Sequence, residues 1–224
     1  GLSVKSRTKG VFDWEVAASQ YDYQTDTLRA ATVALPAVLN GGAGRIVNSK
    51  GTGWNTLAAK GTWRPDGVQG AHIVDFGLQR DSYQLRTVEN ATANWINGAA
   101  GARNQAFNGD TQLLGLWAQD TWKIAPQWKA VLGAHAERWS ASNGQTGNAT
   151  TTVSHPQRNE TTLSPKAAVT LQANDLWVLK ASTGRAVRMP TVAELYQGGI
   201  SGNGTLINND PNLKPEKSWT TELT

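Results

Sequence analysis

The chain has 224 residues, of which 39% are hydrophobic and 17% charged, and it contains no cysteine. The lack of cysteine excludes a disulfide scaffold and a thiolate metal site. The net charge of +4 is spread along the chain, without the basic block that favours nucleic-acid binding. The most apolar stretch, residues 30–39, is far shorter than the roughly 20 residues that a membrane-spanning helix needs.

Alternation of apolar and polar residues predicts β-strands along the whole chain. In residues 128–139, one parity carries Trp128 and Leu132 with several alanines, whereas the other carries Lys129 and Glu137. The same pattern predicts nine strands, each with one apolar and one polar face. Their predicted bounds are 1–8, 13–23, 55–64, 71–82, 111–123, 127–140, 160–172, 176–189 and 216–224.

The connections between the predicted strands alternate in length. Four are short, at residues 9–12, 65–70, 124–126 and 173–175. Four are long and rich in Gly, Asn, Thr and Ser, at residues 24–54, 83–110, 141–159 and 190–215. This alternation is typical of transmembrane β-barrels, which have tight turns at one membrane surface and long loops at the other. Their polar interior also explains a mean hydropathy of −0.43 in a membrane protein.

Tryptophans lie near both ends of the predicted strands. Those near the short connections are Trp14, Trp63, Trp122, Trp128 and Trp177. Those near the long connections are Trp54, Trp139 and Trp219. Two such bands are typical of the aromatic girdles at the two interfaces of a membrane barrel. The alternative is a soluble sandwich or propeller, in which the tryptophans are core residues or sugar platforms.

Residues 184–219 carry the most specific pattern in the chain. Its parts are Gly184-Arg185, Arg188-Met189-Pro190-Thr191, Glu194-Leu195-Tyr196 and Pro211-Asn212-Leu213-Lys214-Pro215-Glu216, with Glu222 downstream. This pattern resembles the TonB-dependent receptors of the bacterial outer membrane. The stretch GLWAQDTWKI at 115–124 is similar to their preceding strands. The chain departs from the family at Asp210, where Asn is common, and at Val187, where an aromatic residue is common.

The resemblance implies an all-β fold, an antiparallel transmembrane β-barrel that is only partial here. About nine strands of a larger, 22-stranded barrel would be present. Nine strands leave open edges, which are costly in lipid, so residues 1–224 are predicted to be an internal fragment of the barrel. The plug domain, the TonB box and a signal peptide are expected to lie outside this chain.

The resemblance also implies a function. It is that of an outer-membrane receptor and transporter for TonB-energised uptake of a scarce nutrient, most often a ferric siderophore. Oligosaccharide, haem and vitamin B12 are the alternatives within the family. The implied partners are outer-membrane lipid, the protein's own plug domain, TonB and the small-molecule ligand, with no nucleic acid. A passive porin and a soluble carbohydrate-binding β protein remain open as functions of other classes.

Several motif residues have predicted structural roles. Pro190 lacks an N–H group, so it ends strand pairing. The segment Thr191-Val192-Ala193-Glu194 has the spacing of a capping box and predicts a short helical turn. Pro211 and Pro215 are expected to stiffen an extended path into the last strand, which starts at Glu216.

Arg185, Arg188 and Tyr196 are the candidate ligand contacts. Cations beside an aromatic ring at the barrel mouth would attract and orient an anionic ferric siderophore. The alternative is that the arginines brace the motif, by bonding to loop carbonyls or by pairing with Glu194 or Glu216.

No catalytic residue, cofactor site or metal site is predicted. His72, His135 and His155 are far apart in the sequence. The acidic residues show no paired spacing that suggests acid–base catalysis. The chain is therefore predicted not to be an enzyme.

Overall fold

The computed structural model describes all 224 residues, and its regular secondary structure consists almost entirely of antiparallel β-strands. The strands are β1 (Leu2–Lys5), β2 (Phe12–Asp22), β3 (Thr27–Ala31), β4 (Gly44–Asn48), β5 (Gly53–Trp63), β6 (His72–Thr92), β7 (Arg103–Ala125), β8 (Trp128–Gly147), β9 (Thr152–Ser154), β10 (Arg158–Gln172), β11 (Val178–Arg188), β12 (Gly199–Ile200), β13 (Leu206–Ile207) and β14 (Glu216–Leu223). Helical structure is limited to α1 (Val192–Tyr196) and a 3-10 turn at Ala37–Asn40. None of this helical structure is long and apolar enough to cross a membrane.

Nine of these strands form one continuous sheet path. Its order is β1-β2-β5-β6-β7-β8-β10-β11-β14, and every neighbouring pair is antiparallel. These are the nine predicted strands, each beside the next one along the chain. The sheet is open, since β1 and β14 do not pair with each other. The predicted all-β antiparallel fold is confirmed.

The prediction of a long irregular loop at residues 83–110 is wrong over most of its length. β6 continues to Thr92 and β7 begins at Arg103, so only residues 93–102 connect them. The physical reason is that alternating burial continues beyond residue 82, with Leu85, Thr87 and Glu89 all buried on one face. Within the predicted loop 24–54, β3 and β4 form a hairpin. This hairpin widens the sheet beside the extended part of β6, because β4 pairs with β6.

One face of the sheet, the apolar face, carries a row of aliphatic side chains that crosses seven strands. Registered partners along that row are Val4, Val16, Ala59, Leu78, Leu116, Ala136 and Leu163. Its larger members remain open, with Val4, Leu116 and Leu163 all more than half exposed. Exposed apolar area costs about 25 cal/mol per Å² in water. A continuous band of this kind therefore requires a hydrocarbon cover, which a bilayer supplies.

The opposite face, the polar face, carries ion pairs and hydrogen bonds. Lys60 Nζ lies 2.9 Å from a carboxylate oxygen of Glu15, and Thr62 donates to Asp75 at 2.6 Å. The one cluster of buried hydrophobic residues also lies on this face, toward the long-connection ends of the strands. Its members are Trp139, Ala141, Leu195 and Tyr196. Packing inside the chain is thus concentrated where α1 meets the sheet.

The predicted tryptophan girdle at the long-connection end is wrong for Trp54 and Trp139. Trp139 is buried in the core cluster. Trp54 has the same parity along β5 as Lys60, so its side chain lies on the polar face. Strand alternation explains both errors, because position along a strand does not fix the face that a side chain occupies. Trp219, in contrast, is 61% exposed on the apolar face.

The two faces of β8 generate a direct test. Leu132 is 54% exposed on the apolar face, and Val131 points to the polar face. Leu132→Arg in the full-length protein should lower stability by about 2–4 kcal/mol, because it places a cation in the hydrocarbon layer. Val131→Arg is the matched control and should cost much less. Unfolding of both variants in lipid vesicles measures the difference, and equal or reversed costs would contradict the assignment of the faces.

Candidate functional site

The segment between β11 and β14, residues 189–215, folds back onto the polar face; we call it the rim segment. Its helix α1 presents Leu195 and Tyr196, which are 0% and 1% exposed. The Tyr196 ring covers Gly109 in β7 and Gly144 in β8, and a Cβ atom at either glycine would collide with the ring. These two glycines are therefore what allow the aromatic ring to lie flat on the sheet.

Local sequence chemistry determines where the rim segment leaves and rejoins the sheet. β11 ends at Arg188, and Pro190 follows as a buried residue outside the strand. Thr191 and Glu194 form the capping box that their spacing predicts. The Thr191 hydroxyl accepts from the Glu194 N–H at 3.2 Å, and the Glu194 carboxylate accepts from the Thr191 N–H at 2.8 Å. Pro215 directly precedes the first residue of β14.

Arg188 holds this junction by binding two carboxylates at once. Its guanidinium donates to Glu216 at 3.0 and 2.8 Å, across the β11–β14 pair. It also donates to both carboxylate oxygens of Glu194, each at 3.0 Å. Charge-assisted bonds in a planar fork are stronger than neutral ones and fix the geometry. The arginine thus connects the last residue of β11, the helix α1 and the first residue of β14.

The same contacts shift the ionisation of all three groups. The hydrogen bonds from Arg188, followed by the bond from the Thr191 N–H, lower the pKa of Glu194 to about 2. The hydrogen bond to Arg188 also lowers the pKa of Glu216. The two carboxylates in turn raise the pKa of Arg188 above its already high ordinary value, so the guanidinium stays charged.

Arg158, in β10, is a second residue that holds the rim segment in place, and the sequence pattern did not indicate this role. Its Nη1 atom donates to the carbonyl oxygens of Pro211 at 2.8 Å and Leu213 at 3.0 Å. Its guanidinium carbon lies 5.5 Å from the centroid of the Trp139 ring. Arg158 therefore fastens the proline-bearing end of the rim segment to the sheet. The only signal for it is the strand register, which places it opposite Ala141 in the core cluster.

His155 lies against the buried tyrosine. Its ring is nearly parallel to that of Tyr196, with an angle of 15° and a centroid distance of 5.6 Å. Its Nε2 atom lies 3.0 Å from the hydroxyl oxygen of Thr146. Burial lowers the pKa of His155 and raises the pKa of Tyr196, so both groups are neutral near pH 7. The stacked pair of rings adds apolar contact where α1 packs on the sheet.

The three candidate ligand contacts occupy different environments. Arg185 lies opposite Trp219 on the apolar face, where the Trp219 Nε1 donates to Thr183 at 2.8 Å. Arg188 is held by its two carboxylates, and Tyr196 is buried with no hydrogen-bond partner for its hydroxyl group. The three residues do not share one open surface. The bracing alternative has direct contacts for Arg188, and ligand contact remains a prediction.

The ion pairs of His72 and His135 each involve a single carboxylate. His72 Nδ1 lies 2.7 Å from Asp120, and His135 Nδ1 lies 3.9 Å from Glu137. No group of three or more His, Asp or Glu side chains is placed to hold a metal ion.

An open antiparallel sheet with an exposed apolar face, a polar face and a folded-in rim segment is the structure of a membrane β-barrel wall. The chain belongs to the family described as TonB dependent receptor-like, beta-barrel, which matches residues 3–224. The predicted family and the predicted location in the bacterial outer membrane are thereby confirmed.

One solved structure, titled Copper transporter OprC, is similar in fold. The TM-score is 0.55 with 14% sequence identity, and the match covers 96% of this chain and 36% of that chain. The present chain therefore spans little more than a third of that structure, and at this identity the likeness shows the fold alone. Comparison with curated proteins gives no match.

The bracing role of Arg188 can be tested against a nearby arginine in the same strand. Arg188→Ala should leave Glu194 and Glu216 side by side without a cation, so the rim segment should detach more often. Amide hydrogen exchange in residues 191–197 should become faster in the full-length protein, at least severalfold. Arg185→Ala is the control and should leave these amides unchanged, because that side chain lies on the apolar face. If both variants exchange as the wild type does, Arg188 does not brace the segment.

Proposed function

We propose that this chain forms part of the barrel wall of a TonB-energised outer-membrane transporter. The observation that carries the proposal is the family match over residues 3–224, on a sheet whose two faces suit lipid on one side and a polar interior on the other. A depression of about 550 Å³ in the surface supports this orientation of the sheet. It lies mainly on the apolar face among Phe12, Phe76, Leu116 and other hydrophobic residues, where acyl chains would fill it.

In such a transporter the polar face would surround a plug domain supplied by the rest of the protein. A polar cleft on this face supports that arrangement, since it is lined by Gln119, His135, Glu137, Ser164 and Lys166 among others. The buried Ser164 hydroxyl has no hydrogen-bond partner within this chain. Buried polar groups normally have partners, and the plug would provide them. Force transmitted by TonB to that plug would then open the path through the barrel.

We propose uptake of a scarce nutrient without naming the ligand, although the family resemblance implies a ferric siderophore. The ferric siderophore remains a hypothesis that rests on the family resemblance. The rim arginines give it little support, because Arg188 is neutralised by two carboxylates and Arg185 lies on the apolar face. Copper is named only for the structurally similar transporter, and this chain has no cluster of three or more metal-ligating side chains.

Growth on limiting nutrients tests the proposal. Cells that lack the gene would be compared with complemented cells, in TonB-positive and TonB-deficient backgrounds, on ferric siderophores, haem, vitamin B12 and neutral oligosaccharides. We expect one of these nutrients to support growth only when both the gene and TonB are present.

Two results would contradict this function. Gene-dependent growth that is unaffected by loss of TonB would indicate a passive porin. Recovery of the native full-length protein in the soluble fraction without detergent would indicate a soluble β protein.

A further inference from the structure

Three arginines lie on the apolar face, toward the long-connection ends of their strands. They are Arg80 in β6, Arg138 in β8 and Arg185 in β11. Each one ends a run of alternate, largely apolar residues on that face. The runs are Val74, Phe76 and Leu78 before Arg80; Ala130, Leu132, Ala134 and Ala136 before Arg138; and Leu179, Ala181 and Thr183 before Arg185.

An aromatic ring lies at the other end of each run. Trp128 and Trp177 precede the runs of β8 and β11, and His72, stacked on Trp122, precedes the run of β6. Eight to ten residues separate each ring from its arginine, which is roughly 26–33 Å along a strand. Strand tilt reduces this to about 20–25 Å, close to the height of the apolar band of a membrane barrel. The arginines therefore lie at the edge of the hydrocarbon layer on the long-connection side.

These arginines have no carboxylate partner within the chain. None of the three takes part in an ion pair. Arg80 lies beside the neutral side-chain amide of Gln112. Asp110, two rows farther from the apolar row on the same face, already pairs with Arg86 at 2.6 Å. A guanidinium at the membrane boundary without a protein anion attracts an anionic group of the surrounding lipid.

Arg80 and Arg138 are close enough to bind one lipid headgroup together. Both are registered partners of Leu114, one on each side of it. Their backbones are thus two strand spacings apart, or roughly 10 Å, which two long side chains can bridge. Phosphate is the anionic group that bilayer lipids present at this depth, and a guanidinium binds it through two parallel hydrogen bonds.

The depression of about 550 Å³ on the apolar face lies next to the same two arginines. Leu78 and Ala136 line it, and each is two residues before one of the arginines, on the hydrocarbon side. The space exists because small residues lie between the larger ones. These small residues are Ala59, Gly61, Ala118 and Ala134. An acyl chain in the depression would place its headgroup beside Arg80 and Arg138.

We propose that Arg80 and Arg138 bind the phosphate group of a membrane lipid whose acyl chain occupies this depression. The lipid belongs to the leaflet on the long-connection side of the membrane. The inference depends on the sheet spanning the membrane and is independent of the nutrient that the barrel transports.

Lipid retention by the full-length protein in detergent tests this site. The probes are phosphatidic acid and phosphatidylcholine with the same acyl chains, and native mass spectrometry counts the lipids that remain bound. The wild type should retain phosphatidic acid at a saturable site and bind phosphatidylcholine more weakly, because choline covers the phosphate charge. The double variant with Arg80→Gln and Arg138→Gln should bind phosphatidic acid about tenfold more weakly, since the charge-assisted bonds are lost.

Lys129→Gln is the matched control. It removes an exposed cation from the other end of β8, where the side chain has the parity of the polar face. This variant should bind phosphatidic acid as the wild type does. Ala136→Trp leaves both arginines in place and fills the depression, so it should also weaken binding.

Four results would overturn the inference. The first is equal retention of the two lipids, and the second is wild-type binding by the double arginine variant. The third is wild-type binding by Ala136→Trp, which would reject the depression as the acyl site. The fourth is displacement of the lipid by an equal concentration of inorganic phosphate, which would indicate a site for the free anion. The assay needs neither TonB nor a nutrient, so a negative result together with TonB-dependent growth would leave the transport function standing.

Discussion

The structure depends on one constraint, which is that backbone N–H and C=O groups need partners wherever water is absent. Only helices and paired strands meet this requirement in a bilayer, and this chain meets it by pairing nine strands, each with its neighbour along the chain. Pairing fixes the strand direction, and the pleat then sends alternate side chains to opposite faces. From this follow the exposed aliphatic row that includes Leu78, Leu116 and Leu163, and the ion pairs on the other face.

The rim segment obeys the same constraint at the end of the sheet, where pairing between β11 and β14 stops. There, charge-assisted bonds from Arg188 to Glu194 and Glu216 replace the backbone hydrogen bonds between the two strands. Arg158 donates hydrogen bonds to two carbonyl groups of the returning chain. Tyr196 then anchors the helix against two glycines. The segment that appears loose in the sequence is therefore fastened at both ends and in the middle. It covers the polar face over β7 and β8.

The local sequence pattern was sufficient to predict the strands and the capping box, because both depend on neighbours within a few residues. The local pattern did not predict the features that depend on the register between strands distant in the sequence. The extension of β6 to Thr92 required a partner in β4, and the inward orientation of Trp54 required the parity of its strand. The contact of Arg158 with the carbonyl groups of residues 211 and 213 crosses more than 50 positions of the chain. No spacing rule links residues so far apart.

Thiol labelling on intact cells measures the central claim, that this sheet spans the outer membrane with the rim segment outside. Cysteine would be placed at Gly202 in the rim segment or at Asp66 in a short connection, in an otherwise cysteine-free full-length protein. Both positions are exposed. A bulky, impermeant maleimide should label Gly202→Cys on intact cells, and should label Asp66→Cys only after the outer membrane is opened. Equal labelling of the two on intact cells, or labelling of Asp66→Cys alone, would contradict the account.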